Sequence, residues 1–206
     1  MQIELKTPIS DADIRLLKVG DSVSLSGVLI TGRDAAHKWI VDNFIHPTAE
    51  PSAEDKEIFA AIKPILDGGL IYHCGPVVAG LETKNYQFVA AGPTTSIREE
   101  PYQADVMRLF NLKGVIGKGG MAGKTLQACQ ELPAVYFHAI GGAASLIAET
   151  VKDVLGVYKL EFGVPEAMWV IKVENLPVVV TMDSHGASLH EKVRTHSREV
   201  LEKLIL

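Results

Sequence analysis

The stretch SVSLSGVLITGRDAAHKWI, residues 22–40, decides the fold. Ser22 to Ile30 alternates and is rich in β-branched residues, which predicts a strand. Thr31-Gly32-Arg33-Asp34 breaks it. From there AAHKWIVDNFI places apolar residues at helical spacing, with Asp34 positioned to cap the helix. A strand, a glycine turn and a helix in succession form the repeating step of an α/β domain.

The same alternation continues outward. Residues 1–20 read as an irregular lead-in with a short strand at Ile3 to Leu5. HPTAEPS (46–52) is a proline-containing loop, and a helix is predicted from Ala53 to Leu66, stopped by Asp67-Gly68-Gly69. Next come a strand in LIYHC (70–74), a loop through GPVVAGLETKNY (75–86) and a strand in QFVAAG (87–92). The turn Pro93 to Arg98 leads to a helix over Gln103 to Leu112. GVIGKGG (114–120) is a short strand running into glycines, Lys124 to Leu132 is helical, and AVYFHAI (134–140) is a strand. Gly141-Gly142 opens a long helix predicted over Ala143 to Leu155. MWVIKVENLPVVVTMD (168–183) reads as two strands, or as one interrupted at Asn175-Leu176-Pro177. Leu189 to Leu206 closes the chain as an amphipathic helix. The expectation is a single α/β domain over residues 1–206 with a mixed, partly parallel sheet; no internal repeat or low-complexity tract interrupts it.

Composition narrows the function classes. The 206 residues are 47% hydrophobic with a net charge of −5, a balance unsuited to neutralising nucleic-acid phosphates. No apolar run reaches the roughly 18–20 residues that span a bilayer. MQIELKTPIS (1–10) lacks the apolar stretch of a signal peptide, so a cytoplasmic location is expected. Cys74 and Cys129 form no CxxC pair, and two scattered cysteines cannot hold an iron–sulfur cubane. Any cluster chemistry must borrow its ligands from elsewhere.

Chemistry concentrates in four glycine turns, each directly after an apolar strand: 31–34, 91–95, 117–120 and 141–144. Glycine lets a ligand approach the backbone closely, and three of the turns carry cations or hydroxyls: Arg33, then Thr94, Thr95 and Arg98, then Lys118. Two arginines and a lysine converging on one pocket suit a small dicarboxylate. Taken singly, each turn reads more readily as a tight turn with solvated side chains. Gly123-Lys124-Thr125 resembles the end of a phosphate-binding loop, but Lys118 stands where that motif needs glycine. His190-Glu191 begins an HExxH pattern, but Arg194 occupies the second histidine position. His37, His73 and His185 carry little signal; His138 reads as a satisfied core histidine, and Cys74 as a small buried residue rather than a reactive thiol.

In register, GRDAAHKWI (32–40), YHCGPV (72–77), GPTTSIR (92–98), GVIGKGGM (114–121), AIGGAASL (139–146) and EAMWVIKVENLPVVVTMDSHG (166–186) resemble the β subunit of class I fumarases and tartrate dehydratases. The resemblance covers most of the chain. It implies a swivelling β/β/α fold facing an α subunit that holds a [4Fe–4S] cluster, in an α2β2 assembly that hydrates fumarate reversibly to (S)-malate. It further implies that Thr94 is the catalytic base at C3 of malate and that Arg33, Arg98 and Lys118 bind substrate carboxylates. Tartrate dehydration and a non-catalytic role in assembly are the alternatives.

Overall fold

The computed structural model describes residues 2–205. Nine strands and seven α-helices follow in order: β1 (Ile3–Lys6), α1 (Asp11–Leu16), β2 (Ser22–Thr31), α2 (Asp34–Ile40), α3 (Ala53–Leu66), β3 (Leu70–Tyr72), β4 (Val77–Ala79), β5 (Gln87–Ala90), α4 (Glu100–Phe110), β6 (Gly114–Gly117), α5 (Gly123–Glu131), β7 (Val135–His138), α6 (Ala144–Ala148), β8 (Val151–Tyr158), β9 (Met168–Met182) and α7 (Leu189–Leu204). A π-helical turn, Val41–Ile45, extends α2, and a 3₁₀ turn, Ser96–Glu99, leads into α4.

Seven strands form one mixed sheet in the order β1-β2-β3-β6-β7-β9-β8. β1, β2, β3, β6 and β7 run parallel. The long β9 runs antiparallel to β7 and β8 and also pairs with β2, so the pairings close a circuit through β2, β3, β6, β7 and β9. The expected mixed α/β sheet is therefore present. The short central strands β3 and β6 are apolar and buried without interruption because both faces are covered. Along β7, Val135 and Phe137 enter one core cluster while Tyr136 enters the other. Trp169 and Ile171 of β9 likewise alternate with Met168 and Val170. Helices α2 to α5 cover one face; α1, α6 and the β4–β5 hairpin cover the other. Trp169 pins the hairpin, its fully buried indole lying edge-on to Tyr86 and Phe88.

Several local expectations are corrected. Arg33, not Asp34, is the N-cap of α2, and it makes no side-chain cap bond; Asp34 is the first helical residue. Val77–Ala79 is a strand rather than loop, paired with β5. The helix expected over Ala143 to Leu155 ends at Ala148, and Val151–Tyr158 is edge strand β8 on β9. Residues 168–182 form one strand; its expected break is a bulge at Glu174-Asn175 (Asn175 φ 57°) opposite Ser26, next to the positive-φ Gly27 of β2. A Cβ at Gly27 would stand 2.3 Å from Thr7 Oγ1, so glycine is what lets the end of β1 dock there. The closing helix is present as α7, but none of its residues is buried. Leu206 lies outside the described residues.

Candidate active site

Four parallel strands deliver their C-terminal ends to one side of the sheet, the side on which α/β proteins, open or closed, place ligands. Arg33 follows β2, His73 follows β3, Lys118 follows β6, and the Gly141-Gly142 turn follows β7. The 93–96 segment inserts between the extensions of β3 and β6, bridging Cys74 to Pro93 and Thr95 to Lys118. Thr94 N–H donates to the His73 carbonyl (2.7 Å), Lys118 N–H to the Thr94 carbonyl (3.1 Å), and Ser96 N–H to the Lys118 carbonyl (3.0 Å). These bonds fix Thr94 beside Lys118 through the backbone, leaving both side chains uncommitted. Thr94 Oγ1 is buried without a hydrogen-bond partner, and among the described residues no carboxylate pairs with Lys118.

The two arginines reach the same edge already paired. Arg33 holds Glu166 at 3.1 Å and lies 3.5 Å from the Pro165 carbonyl, while its buried Nε has no partner. A Cβ at Gly75 would sit 2.6 Å from the Arg33 guanidinium, so that glycine keeps its berth open. Arg98, with its side chain 55% exposed, pairs with Asp34. The expected cluster of three free cations is thus one free lysine and two arginines held by protein carboxylates. Cations brought together without counter-charges would repel, and Glu166 and Asp34 supply those charges.

Beneath this edge lies a buried polar network that the sequence did not reveal. The carboxamide of Gln103 in α4 lies 2.9 Å from His37 Nε2 and 2.8 Å from His73 Nε2, with Gln103 fully buried. His73 Nδ1 is 2.8 Å from Ser96 Oγ, to which the Tyr136 hydroxyl also donates at 2.8 Å. His37 Nδ1 lies 2.9 Å from the Arg33 carbonyl, which can only accept, so that nitrogen carries the proton. Burial holds both imidazoles neutral, pushing His73 down to about 3 and His37 below its usual value. The structure turns Gln103 Oε1 to both rings and leaves its buried NH₂ without a partner, whereas a His37 protonated at Nδ1 needs a donor at Nε2; the flipped amide, with NH₂ toward the rings, satisfies it. The network ties α2, β3, α4 and the Thr94 turn into one unit. Gln103→Ala strips both rings of this partner, and a destabilisation of about 2–4 kcal/mol is expected in denaturant unfolding. A loss within about 0.5 kcal/mol would show the contacts to be incidental. The available signal was the helical phase, which turns His37 and Gln103 inward with their apolar neighbours.

Other sequence candidates fall elsewhere. His138 is not a satisfied core histidine: it is half-buried, Nδ1 has no partner, and its ring lies 6.0 Å from that of His190. Cys74 and Cys129 are buried on opposite faces of the sheet, and burial pushes both thiols up, Cys129 to about 12. Protonated thiols in separate cores do not fit an iron–sulfur cluster, and among the described residues no group of three His, Cys, Asp or Glu side chains could hold a metal. The α5 N-terminus, where the phosphate-loop likeness fell, is occupied by Glu100, which accepts from Ala122, Lys124 and Thr125. No helix is long and apolar enough to cross a membrane among the described residues.

Comparison with known proteins gives a consistent picture. The model of the family described as fumarase C-terminus matches residues 1–193. A Geobacillus stearothermophilus protein named "Putative fumarate hydratase class I" is 49% identical over 201 residues, 98% of this chain but 36% of the relative, so the chain spans about a third of its length. A Methanocaldococcus jannaschii protein named "Putative L(+)-tartrate dehydratase subunit beta" is 37% identical over 96% of this chain and 95% of its own. The L(+)-tartrate dehydratase subunit beta of Escherichia coli is 34% identical over 90% and 85%.

Proposed function

Because the chain belongs to the fumarase C-terminus family, we propose that it is the β subunit of a hydro-lyase that hydrates fumarate reversibly to (S)-malate, in a site completed by an α subunit. Thr94 serves as the base at C3, and Lys118, Arg98 and Arg33 bind the carboxylates. The observation that carries this reading is the pairing of an unbonded Thr94 hydroxyl with an uncommitted Lys118 at the ends of β3 and β6. Removing a proton from C3 of malate loads negative charge onto the adjacent carboxylate. Cations fixed there beforehand stabilise that charge without reorganising. A substrate carboxylate can displace Asp34 from Arg98, whose exposed guanidinium suits bidentate capture. A threonine hydroxyl is a weak base, and among the described residues no side chain accepts its proton. An acceptor from the α subunit therefore belongs to the proposal, as do the [4Fe–4S] cluster held by that subunit, the α2β2 assembly and a cytoplasmic location.

A second reading, dehydration of L-tartrate to oxaloacetate, is favoured by coverage: the tartrate dehydratase β subunits match over 95% and 85% of their own length. The deciding assay is fumarate hydration, followed anaerobically with reconstituted iron, by this chain alone and with its α subunit. Turnover only in the mixture supports the split site, and turnover by the chain alone refutes it. Preference for L-tartrate selects the second reading, and inactivity on both rejects the two together. Lys118→Ala and Arg98→Ala are each expected to raise KM about tenfold or more while also lowering kcat, because a carboxylate contact acts in ground and transition states alike. An unchanged KM in either variant removes that residue from the carboxylate site.

A further inference from the structure

Asp34 and Glu99 meet beside the Arg98 guanidinium, within hydrogen-bonding reach of each other. As two carboxylates they leave Asp34 Oδ1 and Glu99 Oε2 buried and without partners. Two bare carboxylates in contact also repel, most strongly away from water. A single proton between the two carboxyls removes the repulsion and gives the buried pair a hydrogen bond. We infer that Glu99 is a neutral acid donating this proton to Asp34, and that the pair is the positioning device for Arg98, keeping one negative charge beside it instead of two.

The surroundings assign the proton to Glu99. Its side chain is 1% exposed, whereas Asp34 is partly open to solvent and paired with Arg98. Burial, followed by the hydrogen bond and charge of Asp34, pushes Glu99 up to about 8. At Asp34 burial acts upward too, but the bonds from Glu99 and Arg98 outweigh it and hold the carboxyl below its usual range. The other groups facing Glu99 bring no compensating charge. From β3, His73 Nδ1 is 3.9 Å away but already bonded to Ser96, and its ring is neutral. From β7, the Tyr136 phenol is buried and protonated; His37 of α2, beyond His73, is neutral. Arg98 on the same turn is the one cation among them.

The consequence deepens the dicarboxylate reading and rests on it. With Glu99 neutral, Arg33, Arg98 and Lys118 face the carboxylates of Glu166 and Asp34, leaving one surplus positive charge for substrate. Ionising Glu99 cancels that surplus and tightens the hold of the acidic pair on Arg98. Dicarboxylate binding should weaken as pH rises through about 8.

The shared proton is tested by carbon-13 NMR titration of the side-chain carboxyls in the full chain, with Glu99 assigned through the backbone so that no variant is needed. A Glu99 midpoint near 8 is expected, and one near the ordinary 4.5 overturns the inference. Stability gives a second reading. Since the folded-state midpoint is raised, the contribution is complete below about pH 4.5 and lost as pH climbs to about 8. The Tm of Glu99→Gln minus that of the wild type should therefore widen from about pH 5 to about pH 9; a constant difference overturns the inference. In the assembled enzyme, KM for the dicarboxylate should rise about tenfold between about pH 7 and pH 9 in the wild type and stay level in Glu99→Gln. Parallel profiles overturn the positioning role. If no dicarboxylate is turned over, the functional reading fails, while the NMR midpoint still decides the shared proton.

Discussion

Thr94→Ala is expected to lower kcat of the assembled enzyme by about 10³-fold, the scale on which a positioned general base contributes, while leaving the fold intact. The two halves of this expectation have separate structural grounds. Thr94 is held by its backbone, through the His73 carbonyl and the Lys118 amide, and alanine keeps both bonds. Its hydroxyl has no intramolecular partner, so truncation leaves no buried group newly unsatisfied. A Tm within a few degrees of the wild type should accompany the loss of turnover. Thr94→Ser keeps an oxygen at Oγ and should retain a substantial part of the activity. A purely structural role would predict the reverse pattern, with activity falling only as far as stability falls. If alanine keeps most of kcat, the base lies elsewhere on this edge or on the partner.

The legible parts of the fold were those where local pattern and tertiary environment agree. Ser22–Thr31 alternates, and Leu70–Tyr72, Gly114–Gly117 and Val135–His138 are short apolar runs after turn residues; each became a strand of the sheet. The error at 143–155 has a physical cause. Ile147, Ala148, Val151, Val154 and Leu155 fall close enough to helical spacing to mimic an amphipathic helix. The helix stops at Ala148, and the β-branched Val151, Val154 and Val157 instead line an edge strand whose partner, β9, begins ten residues after β8 ends. Local periodicity cannot register a pairing that depends on a distant strand. At the site, the glycine turns revealed which loops cluster, because topology brings the C-terminal ends of parallel strands together. They could not reveal that Arg33 and Arg98 arrive paired, since Glu166 lies far along the chain and Asp34 reads locally as a helix cap. The Gln103 bridge was hidden for the same reason: its members come from α2, β3 and α4 and share no sequence window.

Gly117→Ala is expected to be the most disruptive single methyl on this edge. Gly117 ends β6, one residue before Lys118, in ordinary backbone geometry, so alanine meets no conformational penalty there. The obstacle is space. A Cβ would stand 1.9 Å from Ser96 Oγ, 2.9 Å from the Tyr136 hydroxyl and 3.3 Å from His73 Nδ1. Relieving the first contact means moving Ser96, the hydroxyl on which His73 and Tyr136 both converge. Overpacking of this kind costs about 1–3 kcal/mol, and disturbing the two buried bonds adds about 1–2 kcal/mol. At about 2–4 °C per kcal/mol for a chain of this size, Tm should drop by roughly 5–15 °C. Activity should fall further than stability explains, because Ser96 sits two residues from Thr94 and its displacement moves the turn that carries the base. The decisive control is the double variant. Ser96→Ala alone should destabilise by removing the shared hydroxyl, but with Gly117→Ala it also clears the space the new methyl needs. The combined loss should be smaller than the two single losses together by about 1 kcal/mol or more. Strictly additive losses would mean that the methyl is accommodated some other way, and that Gly117 does not set the position of the Thr94 turn.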